Sequence, residues 1–119
     1  MPVEQVDKPW GHYCVRSELE GHDFDVVTKT ITVAPGQRLS LQRHFERDEH
    51  WMILQGSGLL ELDGAEMVLS PAPSFIHIPR KSWHRVCNTG NDDLLIFEVQ
   101  TGQPREEDIE RAEDDYGRV

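Results

Sequence analysis

Turn-forming residues interrupt this chain so often that little room is left for long helices. Seven prolines and nine glycines are spread through 119 residues. The stretches between them are short and rich in β-branched and aromatic residues, the composition of strands rather than helices. Val26 to Val33 is dense in valine, isoleucine and threonine and stops at Ala34-Pro35-Gly36. Leu39 to His44 alternates, with Leu39 and Leu41 on one face and Ser40, Gln42 and His44 on the other. Further runs are His50 to Gln55, Leu59 to Leu62, Glu66 to Leu69, Phe75 to Ile78, Trp83 to Cys87 and Leu94 to Gln100. Asp63-Gly64, between two of them, is a strong hairpin signal. Many short strands with closely spaced turns predict an all-β sandwich or barrel. One helix is expected from Glu106 to Asp115, after Pro104, followed by an acidic tail, so that 104–119 forms a helix and tail. Residues 1–10 read as a surface arm, although Trp10 then needs something to pack against.

At 13.7 kDa the chain suits a single domain spanning 1–119. No stretch approaches the ~20 apolar residues of a membrane-spanning helix. Twenty-two acidic residues against 12 basic ones give a net charge of −10. That sign argues against binding nucleic acid or an anionic membrane surface. Gln103 to Val119 carries a concentration of the acid, with local cations elsewhere in Arg43, Arg47, Arg80 and Lys81. The two cysteines, Cys14 and Cys87, form neither a disulfide framework nor a thiolate zinc pair. The start, Met1-Pro2-Val3-Glu4, lacks a basic region and an apolar run, so a cytoplasmic protein with reduced thiols is expected.

Of the six histidines, His12 and His22 read as loop or surface residues and His77 as a core histidine. His50 follows Glu49 and points away from its face. Gln42 and His44 share a strand face, Glu49 follows on the next strand, and His84 comes from a later one. Imidazole, carboxylate and amide groups suit a divalent metal of borderline hardness. Taken alone, Gln42 and His44 read better as polar residues facing solvent.

The spacing goes further. Gly36, five residues, Gln42-Arg43-His44, four residues, Glu49, six residues and Gly56 resembles the first cupin motif, with Gln42 at its first histidine position. Pro79, Lys81, His84 and Asn88 resemble the second, with Pro73 and Lys81 standing where glycines are usual. Lys8-Pro9-Trp10-Gly11, Pro35 to His44, Glu49-His50-Trp51 and Tyr116-Gly117-Arg118 occur in this order in one family. From Lys8 to Arg118 the chain resembles the cupin domain of type II mannose-6-phosphate isomerases. In bacteria that domain is usually the C-terminal part of a bifunctional protein with a mannose-1-phosphate guanylyltransferase. A double-stranded β-helix (jelly-roll) barrel is the fold implied. The nucleotide-binding glycine loop is missing from this chain, so nucleotidyl transfer is not expected of it. The family's usual run of histidines after the glutamine is replaced by His44-Phe45-Glu46-Arg47. Type I isomerases, also cupins, carry Ser-x-Gln-x-His, which Ser40, Gln42 and His44 match.

The resemblance implies one divalent ion, zinc with manganese, cobalt, nickel or iron as alternatives, on Gln42, His44, Glu49 and His84. It implies an aldose–ketose isomerase, with substrate phosphate held among Ser40, Lys29, Arg47 and Arg118. Glu98 is the candidate base, and reads equally as a surface carboxylate. Lys29 either snorkels to solvent or enters the barrel. Arg43 should point outward into an ion pair. Intramolecular pairing is the plain reading for Arg111 and for Arg118, the Tyr-Gly-Arg ending favouring a binding role for the latter. The three tryptophans read as packing residues. Two other classes compete: a non-catalytic, metal-containing sugar-binding cupin that partners a separate guanylyltransferase, and another metal-cupin enzyme such as a dioxygenase. The expected partners are a small sugar phosphate and, through strand edges, a second copy of the chain.

Overall fold

The computed structural model describes residues 4–71 and 75–119. Pro73 and the first three residues, on which sequence expectations fall, lie outside them. Eleven strands make up the fold: β1 (Gln5–Lys8), β2 (Gly11–Leu19), β3 (Asp25–Val33), β4 (Leu41–Arg43), β5 (Arg47–Gln55), β6 (Gly58–Leu62), β7 (Ala65–Leu69), β8 (Ile76–Ile78), β9 (His84–Asn88), β10 (Leu94–Gly102) and β11 (Glu110–Glu113). One sheet has the order β1-β2-β3-β10-β5-β8 and the other β11-β4-β9-β6-β7. Every pairing is antiparallel. Among the described residues there is no helix, and so none long and apolar enough to cross a membrane.

Each long strand buries alternate residues, and the chemistry of the buried ones changes along it. In β5 the buried positions run Arg47, Glu49, Trp51, Ile53, from polar to apolar. In β10 they run Leu94, Ile96, Glu98, Gln100, from apolar to polar. The antiparallel register sets Ile96 against Ile53, Glu98 against Trp51 and Gln100 against Glu49, so the two gradients coincide in space. In β3, Val33 faces Leu94, Ile31 faces Ile96 and Lys29 faces Glu98. The interior therefore has two ends. One is an apolar core of Val33, Leu94, Ile96 and Ile53 with Leu60, Leu69 and Val86 of the second sheet. Burying each such side chain contributes about 1.5–3 kcal/mol. The other end gathers the buried charged and polar groups. The core anchors the strands whose polar ends form the site.

The Asp63-Gly64 hairpin forms as the sequence predicts. Leu62 pairs with Ala65, and both turn residues have positive φ, 47° and 83°, as a two-residue turn matched to the strand twist requires.

Three expectations are corrected. The helix over Glu106 to Asp115 is absent; its middle is β11, paired with β4. On a helix, Glu106, Glu110, Glu113 and Asp114 would crowd like charges at three- and four-residue spacing. As a strand, Glu110 stands opposite Arg43 and forms an ion pair with it, while Arg111 faces inward. Within the expected N-terminal arm, Gln5–Lys8 is a strand against β2, and Trp10 is buried in the core. His77, read as a core residue, is exposed and stacks its ring on His50 at 4.7 Å on the outer face.

Candidate active site

His44, Glu49 and His84 converge at the polar end of the interior. All three are buried, and one ligand atom from each lies within 4.8 Å of the others. The strands place them there: Glu49 by the alternation of β5, His84 at the start of β9, and His44 just beyond β4.

The hydrogen bonds define the form of both imidazoles. His44 Nδ1 lies 2.7 Å from the carbonyl of Asp108, and His84 Nδ1 lies 3.0 Å from that of Ser82. A carbonyl only accepts, so each Nδ1 carries a proton and each ring turns its Nε2 to the centre, where His44 Nε2 accepts from Arg47 Nη2. Glu49 Oε2 is 3.2 Å from His44 Nε2, and Oε1 is 3.7 Å from His84 Nε2. His84 Nε2 is buried with no hydrogen-bond partner. A buried ring nitrogen without a hydrogen bond, 3.7 Å from a carboxylate oxygen, is unsatisfied unless a cation is shared between them. Two oriented imidazoles and one carboxylate, each imidazole fixed through its second nitrogen, fit a divalent ion of the zinc type. Gln42 stands beside them, its nitrogen 3.4 Å from His44 Nε2 and its oxygen accepting from Ser40 Oγ at 2.8 Å. In this orientation it turns its nitrogen, rather than its ligating oxygen, to the centre.

A guanidinium already reaches two of the donor atoms. Arg47 Nη2 donates to Glu49 Oε2 at 2.9 Å and to His44 Nε2 at 3.0 Å, and its Nε donates to Glu49 Oε2 at 3.0 Å. Trp51 Nε1 bridges two carboxyls, at 3.2 Å to Glu49 Oε1 and 2.9 Å to Glu98 Oε2. Gln100 donates to the other oxygen of Glu98 at 2.6 Å. Burial alone would raise the pKa of Glu49, but adjacent His84, Arg47 and His44 outweigh it and hold it at about 2. Burial, and then the Glu49 charge, push Glu98 up to about 8. Two neighbouring carboxyls are thereby driven in opposite directions.

His44 supplies a pH prediction. Burial presses its pKa from 6.5 to about 4. The unfolded chain therefore binds more protons than the folded one between those values. Stability of the metal-free protein is expected to be complete above pH 6.5 and to fall as the pH drops toward 4. Urea denaturation at a series of pH values and constant ionic strength measures the slope, which His44→Gln should flatten.

Above this centre lies a cavity of about 160 Å³ whose lining includes Tyr13, Lys29, Arg47, Glu98, Arg111 and Arg118. The structure brings most of the sequence candidates together here. Lys29 is 5% exposed, enters the interior rather than snorkelling out, and forms an ion pair with Glu106. Glu98 is buried, not a surface carboxylate. Ser40 is fully buried and its hydroxyl is engaged by Gln42. Arg118 lines the cavity but is held by Asp114. Arg43 points outward to Glu110, with its guanidinium over the Trp83 ring.

Four residues of the site escape a reading of the sequence. Trp51 hydrogen-bonds rather than only packing; its place two residues after Glu49 on one strand was the available signal. Tyr13 lies under the Lys29 ammonium at 4.4 Å, on a strand with no clear alternation. Asp108 accepts the backbone N–H of Phe45 and Glu46 through its carboxylate while its carbonyl orients His44. Arg111 reaches the interior only because β11 is a strand.

Comparison with known proteins agrees with this architecture. Residues 2–114 match the family model described as mannose-6-phosphate isomerase C-terminal. The alginate biosynthesis protein AlgA of Pseudomonas aeruginosa is 45% identical over 97% of this chain and 23% of its own length. The mannose-1-phosphate guanylyltransferase ManC of Salmonella typhimurium is 40% identical over 97% of this chain and 23% of its own length. The chain thus spans less than a quarter of these relatives. Among solved structures, Rru_A2000 from Rhodospirillum rubrum, a cupin-2 domain, superposes with a TM-score of 0.67 at 21% identity, over 89% of this chain and 78% of that one. The cupin barrel expected from the motifs is the fold of this chain.

Proposed function

The chain belongs to the mannose-6-phosphate isomerase C-terminal family, and from that premise we propose that it is a metal-dependent aldose–ketose isomerase acting on a small sugar phosphate. Mannose 6-phosphate and fructose 6-phosphate are the substrate pair that the family's name suggests, with a place in polysaccharide precursor synthesis that the alginate relative suggests. The observation that carries the reading is the orphaned His84 Nε2 beside His44 and Glu49, at the floor of a cavity lined by cations.

His44, Glu49 and His84 would hold the ion, with Gln42 next to it, and zinc suits the mixed nitrogen and oxygen donors. Bound there, the ion would supply Lewis-acid polarisation of the sugar's carbonyl and hydroxyl oxygens. The remaining work falls to the chain. Isomerisation takes a proton from one carbon and returns it to its neighbour, which calls for a group able both to accept and to give. Glu98 is our candidate. Trp51 and Gln100 fix its two oxygens, and its pKa of about 8 leaves both protonation states accessible near neutrality. Lys29 and Arg47 place positive charge beside it, which offsets negative charge developing on substrate oxygens.

A second reading has its own support. The guanylyltransferase relative is more than four times as long as the stretch matched here, so this domain serving as a sugar-binding module for such an activity is the alternative. Metal-analysed protein assayed for conversion of mannose 6-phosphate to fructose 6-phosphate separates the two. The isomerase reading expects turnover that needs bound metal and falls at least about a hundredfold in His44→Ala. A wild-type protein that binds metal and sugar phosphate without turnover would replace it with the binding-module reading.

A further inference from the structure

Among the described residues Arg111 has no carboxylate partner. In β11 it stands opposite Gln42, and Gln42 stands opposite His84 in β9. Residues directly opposite across neighbouring strands share a face, so Arg111 projects inward beside the metal-capable cluster, where it lines the cavity. Carboxylates engage Arg38, Arg43, Arg47, Arg80, Arg105 and Arg118, as well as Lys29. Among the described residues none engages Arg111, and its Nε is buried without an acceptor. Arg85 also lacks a carboxylate and an acceptor for its buried Nε, but its Nη2 donates to the Glu113 carbonyl, whereas the Arg111 guanidinium makes no hydrogen bond among the described residues. A buried donor left without a partner is destabilising.

The reason no carboxylate reaches it is local. Asp114, close enough to influence the Arg111 charge, is taken by Arg118. The Arg118 backbone N–H, Nε and Nη2 donate to its carboxylate at 2.6, 2.8 and 3.0 Å. The clasp satisfies Asp114 and leaves the Arg111 fork facing the cavity.

We propose that Arg111 is the anchor for the phosphoryl group of the ligand, and that Arg118 serves as a positioning residue that keeps Asp114 away from it. The proposal rests on the sugar-phosphate reading above. A guanidinium offers two parallel N–H donors to a phosphoryl group, and an anion arriving there would accept from Nε or its neighbours. It also reverses the roles expected for the two arginines, since Arg118 is the one paired within the molecule.

Equilibrium titrations of the metal-loaded protein with mannose 6-phosphate, mannose and inorganic phosphate test this, with metal affinity measured alongside. Arg111→Gln is expected to weaken mannose 6-phosphate at least tenfold, leaving mannose and metal affinity within about twofold. Arg111→Lys should fall between, because it restores charge but not the fork. Arg118→Gln should also weaken the phosphate ligands, because Asp114 then captures Arg111. Adding Asp114→Asn to it should restore them. Unchanged mannose 6-phosphate binding in Arg111→Gln would overturn the proposal. So would failure of the double variant to recover, or a wild-type protein that binds neither phosphate ligand. Turnover is not among these readouts: a protein that binds through Arg111 without isomerising refutes only the isomerase reading.

Discussion

Glu49→Gln is expected to lower divalent-metal affinity by about a hundredfold or more while costing less stability than the burial of its partners suggests. The affinity loss follows from removing the one anionic donor of the cluster, an effect larger than the ~10–100-fold typical of outer-shell partners. The stability effect depends on Glu98. Removing one member of a buried ion pair ordinarily costs about 3–5 kcal/mol, because the other charge is left uncompensated. Here the stranded group would be Arg47, with Glu98 nearby and kept protonated partly by the Glu49 charge. Once that charge is gone, Glu98 can ionise and take over Arg47. Glu49→Gln alone should therefore cost about 1–2 kcal/mol, and Glu49→Gln with Glu98→Gln should exceed the sum of the single variants by about 1–3 kcal/mol. Urea denaturation of the four proteins in chelator measures the cycle. Additive single effects would show that the two carboxyls do not back each other up.

The second large effect has the opposite sign for metal. Arg47→Gln is expected to bind zinc or cobalt at least about tenfold more tightly than the wild type while its metal-free form loses about 3 kcal/mol. Arg47 Nη2 donates to Glu49 Oε2 and His44 Nε2, the same lone pairs a metal ion needs. Loading is thus an exchange of one cation for another. Without the guanidinium, the metal-free protein keeps a buried Glu49 charge that has lost its hydrogen-bonded ion pair, and the incoming ion meets no guanidinium competing for the same lone pairs. Competitive titration against a chromophoric chelator reads the affinity, and thermal unfolding with and without metal reads the gap. Weaker metal binding in Arg47→Gln would mean that Arg47 supports the loaded site instead of occupying the empty one.

How much of this was legible depends on the reach of each interaction. The Asp63-Gly64 turn is a local pattern, and the chain forms it where it predicts it; the alternation expected through Leu39 to His44 survives only as the short β4, and Leu39 is buried on the cavity side with Gln42 and His44. The convergence of His44, Glu49 and His84 followed from motif spacing, because antiparallel strands of fixed register turn spacing into position. β11 was not legible. Its residues have fair helix propensity, and only the unpaired edge of β4, with Arg43 waiting for Glu110, makes the extended form win. That one misreading also hid Arg111, whose inward direction exists only on a strand. Trp51 was half-legible: its burial followed from its place on β5, but the two carboxyls that its N–H bridges come from β5 and β10. His77 was misread because a β8 of only three residues gives too little alternation to assign a face.

The way β11 closes the barrel bears on how the molecule is made. Lys29 meets Glu106, and Arg38 meets Asp115, each across 77 positions of sequence, whereas hairpins such as β6–β7 join near neighbours. Long loops close slowly relative to hairpins. The apolar half of the barrel closes over comparable distances, Val33 against Leu94 and Asp25 against Gly102, so core and wall both wait on long loops while hairpins such as β6–β7 form first. The cavity wall is complete only once the segment carrying β11 has joined β4. A refolding experiment should accordingly show tryptophan burial and ligand capture arriving together in one late phase.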